Sequence, residues 1–286
     1  MKPAAFEYHA PRNVEEALSL LDEHQDDAKV LAGGQSLVPA MNFRLARPAV
    51  LVDIAHLPGL DRIDTSDPDH VSIGARVRHL DLEHNTIAGP LGRLLAQTGR
   101  WVGHYPIRVR GTFGGSLAHA DPAAEWCALA CALDAEFSCQ SAGGSRVVAA
   151  SDFFEGWAFT TSLRPDELLV GVRLPKLGDS CGVGVAEFAR RWGDFAIVLA
   201  VTAVERDGDS IAGARIALGG VAGGPVRASN AEAALSGRPA TAETAAAAAA
   251  AAADEVDPTG DIHGSAQYRR DLVRAMVTRA LGQALA

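Results

Sequence analysis

Hydrophobic and polar positions switch between helical and strand-like spacing along the first 176 residues. In NVEEALSLLDEH (13–24), Val14, Ala17, Leu18 and Leu21 fall on one helical face. Asn13 stands where a cap belongs and Glu16 at the capping-box position, so the stretch predicts a helix. AKVLA (28–32) is a short apolar run that predicts a buried strand leading into Gly33-Gly34. AVLVDI (49–54) and HVSIGA (70–75) predict two further strands, and helical spacing returns in GPLGRLLAQTGRWVG (89–103). Asp121 followed by Pro122 predicts the start of a helix carrying Glu125, Trp126, Leu129 and Leu133. ELLVGVRLP (167–175) predicts a strand closed by its proline. This interleaving places residues 1–176 in the α+β or α/β class.

The pattern changes from residue 177 onward, which predicts a second, smaller domain over 177–286. AEFARRWGDFAIVLAVTAVERDGDSIAGARIALGG predicts two or three antiparallel strands with RDGD as a hairpin turn. AETAAAAAAAAADEV is a low-complexity run that alanine propensity makes helical, with side chains too small to form a binding surface. SAQYRRDLVRAMVTRALGQAL predicts an amphipathic helix with Leu272, Met276, Val277 and Leu281 on one face.

Composition narrows the function. The 286 residues are 48% hydrophobic and 21% charged, as in an ordinary globular protein. A net charge of −9 with no basic block argues against nucleic-acid binding, so a bound phosphate has to rely on backbone N–H groups and a few local cations. MKPAAFEYHAPRN has no apolar signal core and no apolar run reaches membrane-spanning length, which predicts a cytoplasmic protein. Cys127, Cys131, Cys139 and Cys181 form no C-x-x-C pair and fit no zinc or iron–sulfur spacing, so burial is their expected role and no metal site is predicted.

Two glycine pairs remain, Gly33-Gly34 in LAGGQSLVP and Gly114-Gly115 in RGTFGGSLAHADPAAE. A glycine pair lets backbone approach a ligand closely, and successive N–H groups there form an anion nest. Ser36 and Thr112 each add a hydroxyl, and two such nests suit the two phosphates of one pyrophosphate. A single Gly-Gly is more often a plain tight turn, and composition alone leaves both readings open. Neither G-x-G-x-x-G nor a P-loop motif is present, so a dinucleotide would bind without a Rossmann turn.

AGGQSLVP and IRVRGTFGGSLAHADPAAE resemble the two FAD-binding signatures of molybdenum hydroxylase flavoprotein subunits, the medium subunits of carbon monoxide dehydrogenase-type and xanthine dehydrogenase-type enzymes. KPAAFEYHAP, RRWGDFAIV and HGSAQYRRDLVRAMVTRAL extend the resemblance, in order, over the whole chain. The resemblance implies an α+β protein: a two-part α/β FAD-binding domain of the vanillyl-alcohol-oxidase type, split near 55–60, and a small α+β C-terminal domain. It implies that Ala32, Gly33, Gly34, Gln35 and Ser36 form the first pyrophosphate loop, with Lys29, Val30 and Leu31 leading into it, and that Thr112, Gly114, Gly115 and Ser116 form the second. Leu37, Val102, Ile107, Gly111, His119, Ala120 and Asp121 are further cofactor-binding positions that it implies. Glu125 falls where the family places an acid near the adenosine part; an ordinary first-turn helix acid is the other reading. Leu168 and Leu169 match a segment beside the flavin, and Trp192 and Phe195 one that approaches its ring, with core packing as the alternative. Arg108 and Arg110 are candidates for balancing phosphate charge, whereas His104 and His119 read as structural.

Many members have His where Gln35 stands and Asn where Val109 stands. Gln35 rules out a histidyl-linked flavin at that position, so the implied FAD is non-covalent. The implied role is electron relay within a heterotrimer: a small subunit with two [2Fe–2S] clusters, a large molybdenum-cofactor subunit, and an acceptor that is NAD, quinone or oxygen. No residue of this chain is singled out as catalytic. A self-sufficient FAD oxidoreductase on the same fold is the alternative.

Overall fold

A computed structural model describes residues 2–286. The first unit holds β1 (Glu7–His9), α1 (Val14–His24), β2 (Ala28–Leu31), α2 (Leu37–Asn42) and β3 (Val50–Asp53). Its parallel sheet has the order β1-β3-β2. The predicted cap is present: Asn13 Oδ1 accepts from Glu16 N–H at 2.8 Å, while a Glu16 carboxylate oxygen accepts from Arg12 N–H at 2.8 Å. Ala17, Leu18 and Leu21 of α1 bury against Ala28, Val50 and Val52, the core the 3.6-residue spacing predicts.

The second unit contains β4 (Ile63–Asp64), β5 (His70–Gly74), α3 (His79–Glu83), α4 (Gly89–Trp101), α5 (Tyr105–Arg110), α6 (Phe113–His119) and α7 (Glu125–Ala132). It continues through β6 (Glu136–Ser141), β7 (Gly144–Ala149), α8 (Ala150–Phe153) and β8 (Leu168–Pro175). Its sheet has the order β4-β5-β8-β6-β7. The helix expected to start at Asp121-Pro122 begins instead at Glu125. Asp121 Oδ1 accepts from Ala123 N–H at 2.9 Å, and that side-chain-closed turn holds residues 121–124 out of the helix. Strand alternation lets β8 serve two cores: Leu168 packs into the first unit and Leu169 into the second.

The C-terminal unit is the antiparallel sheet β12-β11-β10-β9 backed by helices. Its elements are β9 (Cys181–Phe188), β10 (Val198–Asp207), β11 (Ser210–Gly219), β12 (Val226–Arg227), α9 (Ser229–Leu235), α10 (Ala242–Glu255) and α11 (Ala266–Leu285). The predicted RDGD hairpin joins β10 to β11. One sheet face meets α11 and α9, with α10 packed on those helices, and Leu272, Met276, Val277 and Leu281 are buried as their spacing predicts. Ala245, Ala248, Ala249, Ala252 and Ala253 line the buried side of α10, and their small side chains let the helices approach closely. The opposite face is continuous with the second unit: Val183, Val185, Leu199 and Val201 share one core with Trp126 and Leu129. No helix of the described residues is long and apolar enough to cross a membrane.

Candidate functional site

The first glycine turn closes directly on β2. Gly34 sits at φ +70°, a left-handed conformation that costs a residue with a side chain about 1 kcal/mol. The Gln35 carboxamide donates to the Gly33 carbonyl at 2.9 Å and pins the turn. Val38 N–H then donates to the Gly34 carbonyl at 3.1 Å and opens α2. Among the described residues, the N–H groups of Gln35, Ser36 and Leu37 find no protein acceptor, so this turn presents free donors.

The second glycine pair is built differently, and the expectation of two matching nests is corrected. Gly114 and Gly115 lie in the first turn of α6, not in a turn after a strand. Phe113 N–H donates to Val77 O at 2.8 Å and Gly114 N–H to Ala75 O at 3.0 Å. Gly115 N–H donates to Thr112 Oγ1 at 3.1 Å, and Thr112 is buried as that helix's cap. These amides are used by the fold. The second turn therefore contributes a rigid wall, and the first contributes donors.

The two turns touch each other. A Cβ added at Gly33 would fall 2.7 Å from Gly111 Cα and closer still to the Arg110 carbonyl oxygen. From this contact a cavity of about 1270 Å³ runs between the FAD-type units and the C-terminal sheet. That exceeds the roughly 300–1,000 Å³ of ordinary small-ligand sites and suits an extended dinucleotide. Lys29, Arg164 and Arg190 bring positive charge to its wall, in a chain that is acidic overall.

Most of the predicted site residues meet on this cavity. Lys29, Val30, Ala32, Gly33, Gly34, Gln35, Ser36 and Leu37 line one side. Val102, Ile107, Gly111, Thr112, Gly114, Gly115, Ser116, His119, Asp121 and Glu125 line another. Leu168, Leu169 and Phe195 complete it. Leu31, Ala120 and Trp192 do not line it: Leu31 pairs with Asp53 in the sheet, and Ala120 is the left-handed cap that ends α6. Trp192 is exposed and packs on Trp101 with ring centroids 4.7 Å apart. Arg108 and Arg110 are also off the cavity. Arg108 is held by Glu83 at 2.7 Å and by the Gly103 carbonyl at 2.8 Å, so its charge is already neutralised and the phosphate-balancing role is withdrawn. His104 lines the wall as a packing surface for Gly193, and His119 stacks on Phe159 at 5.0 Å.

Sequence reasoning missed three groups. His79 lines the cavity and is buried. Burial, aided by Arg78 and Arg108, pushes its pKa down to about 3. Arg269 reaches from α11 to the cavity, donating to the Ile197 carbonyl at 2.6 Å, the Gly220 carbonyl at 2.7 Å and Asp261 at 2.8 Å. Glu187 of β9 is buried facing α7, and one of its carboxylate oxygens has no hydrogen-bond partner. Burial raises the pKa of both Glu125 and Glu187, and Asp121 adds to the effect at Glu125. The thiols of Cys127, Cys131, Cys139 and Cys181 are all unpaired, and burial raises each pKa, as expected of inert core cysteines.

A cleft of this volume, walled by two glycine turns and without a Rossmann fingerprint, places the chain among proteins that bind an extended dinucleotide. The family profile described as the FAD binding domain in molybdopterin dehydrogenase matches residues 4–177. That for the CO dehydrogenase flavoprotein C-terminal domain matches residues 185–284. The chain belongs to this family of FAD-binding molybdenum dehydrogenase subunits. It is 43% identical over 286 residues to the 6-hydroxypseudooxynicotine dehydrogenase complex subunit alpha of Paenarthrobacter nicotinovorans, covering 100% of this chain and 96% of that one. It is 36% identical to the carbon monoxide dehydrogenase medium chain of Hydrogenophaga pseudoflava, covering 100% of this chain and 99% of that one. Among solved structures, the carbon monoxide dehydrogenase of Hydrogenophaga pseudoflava that lacks the Mo-pyranopterin moiety superposes with a TM-score of 0.95 at 38% identity, covering 99% and 98% of the two chains. Quinoline 2-oxidoreductase from Pseudomonas putida 86 superposes with a TM-score of 0.92 at 37% identity, covering 100% and 98%.

Proposed function

We propose that this chain is the electron-relay subunit of a molybdenum hydroxylase assembly. It holds FAD non-covalently between its two glycine turns, takes electrons from the [2Fe–2S] clusters of a small partner, and delivers them to NAD, quinone or oxygen. Oxidation of the organic substrate belongs to a large molybdenum-cofactor partner. The observation that carries the reading is the free-donor turn at Gln35, Ser36 and Leu37 opening onto a cavity large enough for a dinucleotide. Flavin, when bound, accepts electrons singly and gives them up in pairs, which suits a component between iron–sulfur centres and a two-electron acceptor.

The chain's own residues bind, orient and exclude water. The amides of the first turn face the pyrophosphate, and Glu125 accepts from ribose hydroxyls. Leu168 and Leu169 supply an apolar wall at the flavin end. The Gln35 carboxamide is not a nucleophile and is already bonded to its own turn, which supports non-covalent attachment. Iron–sulfur cluster and molybdenum chemistry are assigned in this reading to partners.

The test follows flavin bleaching anaerobically with CO and N-heterocycles such as quinoline. The purified chain, loaded with FAD, should release its flavin into the supernatant on acid precipitation. It should bleach with an artificial donor but not with substrate. Bleaching by substrate should appear only in the co-expressed three-subunit complex. Substrate bleaching in the chain alone would overturn the relay role, and failure to take up FAD at all would overturn the binding reading.

A further inference from the structure

We propose that His79 is a ligand donor in this site: its Nε2–H, held in one tautomer by Trp126 and left without a protein partner against Gly111, bonds an oxygen of the FAD pyrophosphate. The inference rests on the FAD reading and adds to the site a residue that lies in neither glycine signature.

The tautomer follows from the partner. An indole N–H can only donate, and Trp126 Nε1 lies 2.9 Å from His79 Nδ1, so Nδ1 is the acceptor and the proton sits on Nε2. Trp126 is fully buried, and its ring lies near-parallel to the imidazole at a centroid distance of 6.1 Å, with Phe113 edge-on to it at 5.3 Å. The imidazole is thereby fixed in the core on its Nδ1 side. Its backbone N–H donates to the Gly111 carbonyl at 3.3 Å, tying it to the second turn.

The opposite ring edge faces the site. A Cβ at Gly111 would fall 2.6 Å from both Cδ2 and Nε2, so that edge occupies the space the glycine leaves open. Gly111 is also where the first turn docks, through Gly33. His79 is 4% exposed and lines the cavity, and its one side-chain hydrogen bond among the described residues is the one Nδ1 accepts from Trp126. Nε2–H is thus uncommitted on the cavity side and can bond an anion that arrives there. In the protein alone, burial and the Arg78 and Arg108 charges keep the ring neutral, so Nε2–H is presented without the cost of a buried charge.

Replacing His79 alone would strand the indole N–H, so the decisive variant removes both partners. His79→Leu/Trp126→Phe should bind FAD about tenfold more weakly than Trp126→Phe, in line with loss of one bond to a charged acceptor. ADP, which carries the same pyrophosphate, should lose the same factor in competition. His79→Gln, with an acceptor for the indole and a donor for the phosphate, should restore most of the affinity. In the FAD complex, ¹⁵N NMR of the His79 ring should show the Nε2–H tautomer. Equal FAD affinity in Trp126→Phe and the double variant would overturn the proposal while leaving the FAD reading standing. A loss for FAD but not ADP would also overturn it. A wild-type chain that binds neither ligand would instead overturn the reading beneath it.

Discussion

Gly33→Ala should strip the protein of its flavin. The methyl group would enter the space between the two glycine turns, 2.7 Å from Gly111 Cα and nearer the Arg110 carbonyl. Both neighbours are backbone, and Arg110 O is already tied to the Arg78 guanidinium, so neither can swing aside as a side-chain tip can. The turns must separate, which widens the place where the free amides and the second wall face one another. Overpacking of this kind costs about 1–3 kcal/mol, or about five- to 150-fold in affinity when it falls on the bound geometry. The same backbone contact exists without flavin, so the apoprotein should also melt a few degrees lower. The measurement is the flavin-to-protein absorbance ratio after desalting, beside a thermal melt without FAD. Gly34→Ala is the comparison: an added Cβ there meets only the side-chain ends of Leu31 and Val38, both at 3.2 Å, plus the left-handed backbone cost, and should be milder. Full flavin retention in Gly33→Ala would show that the two turns do not need their contact to hold the ligand.

Glu187→Gln should make the protein more tolerant of alkaline pH. Glu187 is buried between α7 and the C-terminal sheet without a cation, and Glu125 is the other carboxyl facing it. Burial raises its folded-state pKa above the ordinary carboxylate value, so the folded state holds a proton that the unfolded chain has released. Stability is therefore lost as pH rises above the unfolded carboxylate pKa of about 4.3, and the loss continues until pH passes the raised folded pKa. Glutamine keeps the shape and removes the titration. At about pH 5 the two proteins should melt within a degree or two of each other, and at about pH 9 the variant should melt several degrees higher. Parallel melting curves across that range would show that Glu187 is not a charge-frustrated site. Glu125→Gln should show the same trend and, unlike Glu187→Gln, should also weaken FAD binding, because Glu125 alone of the pair lines the cavity.

The elements were legible wherever one face had to be dry. The run 13–24 carried a cap and an apolar stripe together, the run 265–285 an apolar stripe, and each became the helix its spacing predicts. The helix capped by Asp121 in the sequence reading slipped by three residues, to a cap at Ala124, because Asp caps turns as readily as helices, and only the Ala123 N–H it bonds tells the two apart. The glycine pairs looked alike as letters. What separates them is where their amides go: Gly114 N–H reaches the Ala75 carbonyl, more than thirty residues away in sequence, and Gly115 N–H the Thr112 hydroxyl that caps the helix. His79 carried no signal because its tautomer depends on Trp126, 47 residues downstream, and Glu187 none because its burial depends on which sheet face meets α7. Arg108 misled for the opposite reason: beside a phosphate-type motif it reads as a free cation, yet Glu83 had already claimed it.

The shared core between the second unit and the C-terminal sheet bears on how such a chain can be inherited. A gene fragment ending after residue 176 would encode a protein whose Trp126 and Leu129 had lost Val183, Val185, Leu199 and Val201 as neighbours. The complementary fragment would expose the other half of the same surface. Neither piece offers recombination a module that keeps its interior, and the cavity wall built from Phe195 and Arg269 would leave with the second piece. Descent should therefore transmit the two family-matched segments together, with change concentrated on outward-facing positions, and the chain should travel between assemblies as one unit.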